Sequence, residues 1–242
     1  MDTVKIQKNN VKMVAHRGVS GLETENTCSA FVAAGNRSYF GVETDVHVTS
    51  DGRFVIIHDD WTGRVSGERV NINVEKSDFA EIEPIRLPDI DGSFGRRDIV
   101  IPQLNDYIAI CRKYEKTCVL ELKNHFDPAV IEIMLGEIRK TGYLSHIIFI
   151  SFDLENVVNL RRLLPDQPIQ WLLCAPITDE IFGTLKQHRL DLDVCWSELS
   201  AEIVSRLHAQ GTLVNCWTVD DPAVAEKLVA MGVDFITTNI LE

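Results

Sequence analysis

The chain of 242 residues has the usual size of one (β/α)8 barrel, and its 45% hydrophobic and 25% charged residues are ordinary for a globular domain. A formal net charge of −12 argues against a nucleic-acid partner and against an anionic membrane surface, because both need a basic face. No apolar run of about 18 residues predicts a membrane-spanning helix, and the N-terminus lacks the apolar stretch of a secretion signal. We therefore expect a cytoplasmic protein without membrane insertion.

Short apolar segments alternate with segments of helical period along the chain. The predicted barrel strands are 12–16, 39–49, 118–123, 147–152, 169–174, 191–196, 212–219 and 233–238. The predicted helices are 27–36, 105–113, 128–141, 154–164, 179–188, 201–210 and 222–231. Strands that alternate with helices form parallel sheets, and eight of them in one domain favour a closed TIM-type (β/α)8 barrel. An open doubly wound sheet is the alternative, but the chain has neither a GxGxxG motif after its first strand nor a P-loop.

Two stretches depart from this alternation. Residues 60–101 are polar, rich in Gly, Arg and Asp, and too long for a loop between a strand and a helix. We interpret them as a small subdomain inserted after the second strand and lying over the barrel mouth, within a single catalytic domain of residues 1–242. The last predicted strand is followed only by residues 239–242, so no eighth helix is expected. One possibility is a homo-oligomer in which a partner subunit covers the place of the missing helix.

Two strand ends carry side chains suited to a phosphate ester. His16 and Arg17 follow the first strand, and reactive groups of TIM barrels lie at the carboxyl ends of the strands. A histidine there is equally consistent with an ordinary loop residue, whereas the guanidinium of Arg17 offers donors that suit phosphate. Trp217 lies near the end of the seventh strand. Tryptophan is usually a packing residue, but at this place it could wall a pocket against the carbon atoms of a substrate.

Three carboxylates predict a cation site. Glu43 and Asp45 are alternate residues of one strand and therefore share a face. Side by side they repel each other, and a divalent cation removes that cost. Glu121 and Lys123 share a face of the third strand. Glu121 adds a third carboxylate, and Lys123 adds a positively charged side chain. Oxygen ligands with open water positions suit Mg²⁺ or Ca²⁺ rather than zinc or copper. A solvated edge strand and a strand-end ion pair are the alternative interpretations.

A hairpin is expected to return a histidine to these carboxylates. Residues 50–53 read as a two-residue turn with Asp-Gly at its centre. In that register Asp45 lies directly opposite His58, and Glu43 lies opposite Asp60. A slip of one residue would place His58 on the other face of the strand, so this expectation depends on the register.

The ordered set of motifs resembles the signature of the glycerophosphodiester phosphodiesterase family. The matching motifs are His16-Arg17-Gly18, Glu25-Asn26-Thr27, Glu43-x-Asp45-Val46, Asp51-Gly52, His58-Asp59, Ile101-Pro102-x-Leu104, Glu121-Leu122-Lys123, Ser151-Phe152, Trp217-Thr218-Val219 and Gly232-Val233-Asp234. Each motif is short, but together they span His16 to Thr238 in order. Thr24 stands where the family usually has proline, and Asn239 stands where it commonly has aspartate.

The resemblance implies a TIM barrel that hydrolyses small glycerophosphodiesters to glycerol 3-phosphate and an alcohol, with one divalent cation, Mg²⁺ or Ca²⁺. The roles it implies are metal binding by Glu43, Asp45 and Glu121, acid–base catalysis by His16 and His58, phosphate binding by Arg17 and Lys123, and contact with glycerol by Trp217.

Two other functions stay open at this point. A phosphodiesterase that acts on intact phospholipids would need an apolar or basic surface toward the membrane, which the acidic charge disfavours. A non-catalytic barrel that only binds phosphodiesters would typically have lost a histidine or a carboxylate, and this chain keeps all of them. An aldolase or isomerase barrel would not need three carboxylates with two histidines.

Overall fold

A computed structural model describes residues 2–242, and its parallel strands close into a barrel. The strands are β1 (Lys12–Ala15), β2 (Gly41–Val48), β3 (Phe54–Ile56), β4 (Thr117–Leu122), β5 (Ile147–Ser151), β6 (Ile169–Leu173), β7 (Asp191–Cys195), β8 (Val214–Trp217) and β9 (Phe235–Thr238). All except β3 form the barrel, which closes where β1 pairs in parallel with both β2 and β9. The predicted eight-stranded barrel is confirmed, and each predicted barrel strand lies within two residues of the observed bounds.

The helices of the described residues are α1 (Cys28–Gly35), α2 (Phe79–Ile82), α3 (Leu104–Lys113), α4 (Pro128–Thr141), α5 (Leu154–Leu163), α6 (Asp179–His188), α7 (Ala201–Ala209) and α8 (Pro222–Met231). All of the helices except α2 pack around this barrel, and α2 lies in the inserted stretch. All except α2 were predicted, and their bounds agree within one residue. None of the helices in residues 2–242 is long and apolar enough to cross a membrane.

The alternation of side chains along β4 shows how the strands build both the core and the mouth. Cys118, Leu120 and Leu122 belong to the outer apolar layer between strands and helices. Val119 belongs to the smaller apolar cluster inside the barrel. Glu121 shares the inward face of Val119 because successive side chains alternate. The same face is therefore apolar at the base of the barrel and acidic near its mouth.

The predicted register of the hairpin is wrong by one residue. Val46 pairs with Ile56, and the backbone N–H of Ile57 donates to the carbonyl oxygen of Asp45 at 3.0 Å. Asp45 therefore lies opposite Ile57 rather than His58. The strand β3 ends at Ile56, so the expected alignment of Glu43 with Asp60 is also absent.

The turn explains this shift. The backbone N–H of Thr49 donates to the carbonyl oxygen of Arg53 at 2.8 Å, which leaves three residues in the loop instead of two. Gly52 ends that loop in the left-handed region, with φ of +79°. A three-residue loop of this kind moves the pairing by one position relative to a two-residue turn. His58 nevertheless reaches the barrel mouth, because it lies beyond the end of β3.

Residues 60–101 form a second, smaller apolar cluster around Val74, Ile82, Ile85, Leu87 and Ile99. This stretch contacts the loop after β1. Thr24 donates its hydroxyl to the carbonyl oxygen of Pro88 at 2.7 Å, so the residue that replaces the family's usual proline binds the insertion. The subdomain boundaries stay a prediction, which this separate cluster supports.

The last residues pair with the beginning of the chain. Val4 and Leu241 form a parallel bridge, and the N–H of Ile6 donates to the carbonyl oxygen of Glu242 at 3.0 Å. Leu241 is fully buried. In the described residues no helix follows β9, as expected from the sequence, and the homo-oligomer stays a prediction.

The loop after β1 packs closely on α1 at Gly18, and a substitution there tests this contact. Gly18 has φ of +79°, and an added Cβ would lie 2.6 Å from the backbone carbon of Ala30. Gly92 has φ of +81° with nothing within 4 Å. We expect Gly92→Ala to lower the free energy of unfolding by about 1 kcal/mol through the left-handed backbone alone. Gly18→Ala should cost roughly 3 kcal/mol or more, because overpacking adds about 1–3 kcal/mol. Urea unfolding of both variants measures this, and equal losses would contradict the close approach.

Candidate active site

The structure brings the eight predicted residues together at the carboxyl ends of the strands. Six of them line one cavity of about 180 Å³: His16, Arg17, Glu43, His58, Glu121 and Trp217. Asp45 and Lys123 lie beside it, since the Lys123 Nζ atom is 2.8 Å from Glu121 Oε1 and 3.6 Å from Asp45 Oδ1. The roles of these residues stay predictions.

The three carboxylates form one buried cluster. Glu43, Asp45 and Glu121 each offer an oxygen, and these oxygens lie within 4.8 Å of one another. Asp45 and Glu121 are direct register partners on the neighbouring strands β2 and β4. Glu43 precedes Asp45 by two residues and so shares its face. The cluster is thus a consequence of strand pairing rather than of a flexible loop.

The charges of this cluster are not balanced by the protein alone. Burial, followed by the charges of Asp45 and Glu121, raises the pKa of Glu43 well above its ordinary value. Burial and the charge of Asp45 raise the pKa of Glu121 to about 8. Burial opposes ionisation of Asp45 too, but Lys123 and Arg17 hold the pKa of Asp45 below its usual range. Three carboxylates with two raised pKa values fit a divalent cation, which would let all three ionise.

Two contacts fix the orientation of the cluster. The backbone N–H of Arg17 donates to Glu43 Oε2 at 2.8 Å. Asn26 donates from Nδ2 to Asp45 Oδ2 at 2.7 Å and accepts from the Thr44 hydroxyl at 2.7 Å. Asn26 has φ of +54°, a conformation that asparagine tolerates better than most residues. The sequence motif contained Asn26, but its contact with Asp45 was not foreseen.

A relay of side chains holds His16. Asn239 donates from Nδ2 to Asp220 Oδ2 at 2.6 Å, which leaves its Oδ1 as an acceptor. His16 Nδ1 lies 2.8 Å from that oxygen, and Ser20 also donates to it. His16 therefore carries its proton on Nδ1 when neutral, and Nε2 is free, 4.0 Å from Glu43 Oε2. Burial and the neighbouring Arg17 charge lower the pKa of His16, which favours this neutral form.

A second chain of contacts holds His58 and joins the insertion to the barrel. His58 Nδ1 is 2.8 Å from Asp59 Oδ1. Arg64 donates to both oxygens of Asp59, at 2.6 and 2.8 Å, and to both oxygens of Glu25, at 3.0 and 2.8 Å. Glu25 also accepts from Arg17 Nη1 at 2.9 Å. Sequence reasoning missed Arg64, which lies in the stretch that follows the family pattern only loosely.

Burial lowers the pKa of His58 as well, with help from the charges of Lys123 and Arg17. The Nδ1 contact with Asp59 leaves Nε2 of His58 free toward the cavity when the ring is neutral. Both histidines thus have one supported nitrogen and one free nitrogen. Trp217 completes an apolar wall with Phe152, whose ring meets it edge-on with centroids 5.7 Å apart.

A barrel with a buried carboxylate cluster, two supported histidines and two cations at the strand ends belongs to the class of enzymes that act on phosphate esters with a metal ion. The sequence model of the glycerophosphoryl diester phosphodiesterase family matches residues 16–242. The chain belongs to this family, as its motifs predicted.

Individual relatives agree with this assignment. A protein of Bacillus subtilis strain 168 that bears the name putative glycerophosphodiester phosphodiesterase YhdW is 30% identical over 240 residues. The match covers 94% of this chain and 93% of that protein. A glycerophosphodiester phosphodiesterase of Caldanaerobacter subterraneus is 26% identical over 231 residues, 94% of this chain and 93% of that protein. The fold matches a phosphodiesterase of Oleispira antarctica, solved in complex with the product sn-glycerol 3-phosphate. That match has a TM-score of 0.85 and 24% identity, and it covers 97% of this chain and 95% of that chain.

The Asp220–Asn239–His16 relay predicts a change in the titration of His16. Exchanging the first two residues of the relay, in the double variant Asp220→Asn/Asn239→Asp, keeps the net charge but places a carboxylate next to Nδ1. A carboxylate favours the protonated imidazole, so the pKa of His16 should rise by roughly one unit or more. If activity needs neutral His16, the double variant should lose activity at a higher pH than the wild type does as the solution is acidified. The matched control is Asp220→Asn alone, which moves no carboxylate toward the ring. NMR titration of the His16 ring measures the shift, and identical midpoints in both variants would disprove the relay.

Proposed function

We propose that this enzyme hydrolyses glycerophosphodiesters to glycerol 3-phosphate and an alcohol, with one divalent cation and with His16 and His58 as the acid–base pair. One observation carries the proposal. A single cavity holds both histidines next to the carboxylate cluster, and each histidine has Nδ1 engaged and Nε2 free. Two proton-transfer groups beside a cation site are what the exchange of one P–O bond for another requires.

Glu43, Asp45 and Glu121 would hold the cation, and their oxygens favour Mg²⁺ or Ca²⁺. When bound, the cation would withdraw electron density from a phosphate oxygen and lower the pKa of a nearby hydroxyl. Arg17 and Lys123, both within ion-pair distance of Asp45, bring positive charge to the same place. That charge would stabilise the negative charge that develops on the phosphoryl oxygens.

The histidines would act in turn. One accepts a proton at Nε2 from the hydroxyl at carbon 2 of glycerol, whose oxygen bonds to phosphorus. The other gives a proton to the alcohol oxygen as its bond to phosphorus breaks, and a cyclic glycerol phosphate forms. Water then opens the ring with the two roles exchanged. Each transfer contributes roughly 10²–10⁴-fold to the rate. A cytoplasmic location and a single divalent cation, Mg²⁺ or Ca²⁺, stay predictions of the sequence.

The test is release of glycerol 3-phosphate from glycerophosphoethanolamine and glycerophosphocholine, with Mg²⁺, with Ca²⁺ and with a chelator. We expect release with at least one of the ions and none with chelator, because the carboxylate cluster cannot fully ionise without a cation. Vesicles of phosphatidylethanolamine serve as the comparison substrate and should be cleaved far more slowly. No release from a folded sample under any condition would overturn the proposal.

Variants of single residues in the same assay test the metal site and the role of His58 separately. Glu43→Gln should abolish release that depends on the metal, whereas His58→Ala should lower kcat roughly 10²–10⁴-fold while the ion still binds. His125→Ala is the matched control, because His125 lies near the mouth but is exposed, pairs with Asp153 and does not line the cavity. Equal activity of the His58 and His125 variants would remove His58 from the mechanism.

A further inference from the structure

Three residues that line the cavity each have a buried polar atom without a hydrogen-bond partner in the described chain. Nε of Arg17 faces the carboxylate of Asp45 in an ion pair, 3.5 Å from Oδ2. The other two atoms are Oδ1 of Asp193 and Nε1 of Trp217. Asp193 is only 2% exposed. A buried acceptor or donor without a partner costs free energy, so natural proteins rarely keep one without a use for it. Neither atom has a part in the proton transfers described above.

The two atoms come from neighbouring strands. Asp193 pairs with Asn215, and Cys195 pairs with Trp217, so Asp193 and Trp217 lie on the inward faces of β7 and β8, two positions apart. Asn215 lies close enough to lower the pKa of Asp193 as a nearby donor, but it makes no hydrogen bond of ordinary length to Asp193 Oδ1. Its amide nitrogen donates to Gln170 Oε1 at 3.2 Å, and its oxygen accepts from the Thr237 hydroxyl at 3.3 Å.

The pairing of one free acceptor with one free donor selects a chemical group. A hydroxyl can donate to Asp193 and accept from the Trp217 N–H at the same time. An ammonium group could only donate, and a phosphate could only accept. The cavity wall also has apolar side chains, among them Ile150 and Leu172, which suit the carbon atoms of a short polyol.

We propose that Asp193 and the indole N–H of Trp217 form a hydroxyl-binding subsite that selects the free terminal hydroxyl of the glycerol end of the substrate. The inference rests on the proposed function, in which the hydroxyl at carbon 2 attacks phosphorus and the terminal hydroxyl is left over. Asp193 is then a residue that determines specificity for a glycerol end over an end with one hydroxyl fewer.

Burial, and then the charge of Glu121, raises the pKa of Asp193 well above its ordinary value. The subsite does not depend on this, because a neutral carboxyl group still has an oxygen that accepts and gains a hydroxyl that donates. An uncharged Asp193 would favour a neutral hydroxyl further over a cationic head group.

The experiment compares two diesters that differ by one oxygen: glycerophosphoethanolamine and the matching phosphoethanolamine diester of propane-1,2-diol, which lacks the terminal hydroxyl. Release of ethanolamine reports on both. We expect the wild-type kcat/KM to be roughly 10- to 100-fold higher for the glycerol diester, as for a buried donor and acceptor that lose their partner.

Two variants remove one half of the subsite each. Asp193→Leu removes the acceptor but keeps the branching of the side chain, and Trp217→Phe removes the N–H but keeps an aromatic ring. Each should reduce the preference for the glycerol diester to a few-fold. Asp193→Asn keeps an acceptor oxygen and should retain most of the preference. Asp191→Asn is the matched control on the same strand, because Asp191 accepts from the Leu213 N–H outside the cavity, and it should leave the preference intact.

The outcomes separate this inference from the proposed function. If the wild type cleaves neither diester, the proposed function is wrong, and the subsite, which rests on it, is wrong as well. If the wild type cleaves both and the Leu and Phe variants keep the full preference, the subsite is wrong. An equal loss for both diesters in Asp193→Leu would mean a structural role and would also overturn the subsite. Should Asp193→Leu not fold, Trp217→Phe decides alone.

Discussion

Three carboxylates buried within 4.8 Å of one another are the constraint around which the site is organised. Taking them out of water raises the pKa values of Glu43 and Glu121, and the two nearest cations, Arg17 and Lys123, cannot neutralise all three. The protein keeps the cluster by strand pairing, which sets Asp45 beside Glu121, and by the hydrogen bond from Asn26. Such an arrangement is costly by itself and becomes favourable when a divalent cation binds.

The two histidines are held by different parts of the chain, one by the barrel and the other with help from the insertion. His16 is held by Asn239 from the end of the last strand, so its support comes from the closure of the barrel. His58 is held by Asp59, which Arg64 of the insertion ties to Glu25. Glu25 in turn pairs with Arg17, which lies beside Asp45. Movement of the insertion would therefore be transmitted to His58 and to Arg17.

The sequence predicted those parts of the site that follow from local rules. Alternating strands and helices defined the barrel, and the spacing of Glu43 and Asp45 placed both carboxylates on one face. The predicted register of the hairpin was wrong because a Gly at the tip is compatible with both a two-residue and a three-residue loop. Only the tertiary fold distinguishes the two loops. His58 reached the site for a different reason from the one expected.

Other features depend on contacts that no local pattern encodes. Asn239 meets His16 across 223 residues, and its value as a hydrogen-bond acceptor is set by Asp220. Asp193 lies in the alternating run Asp-Leu-Asp-Val, where the sequence does not tell which face points into the barrel. Arg64 lies in the polar insertion, where charged residues are common and their partners cannot be read from spacing.

The most direct test of the central claim is a calorimetric titration of the metal-free protein with Mg²⁺ and with Ca²⁺ at pH 7, in two buffers that differ in ionisation enthalpy. Because Glu121 has a pKa of about 8 and that of Glu43 is also raised, an ion that binds this cluster must displace protons. One ion should bind to each chain with release of protons, and both the binding and the proton release should be lost in Glu43→Gln/Glu121→Gln. No saturable binding, or binding that persists unchanged in that double variant, would contradict this prediction.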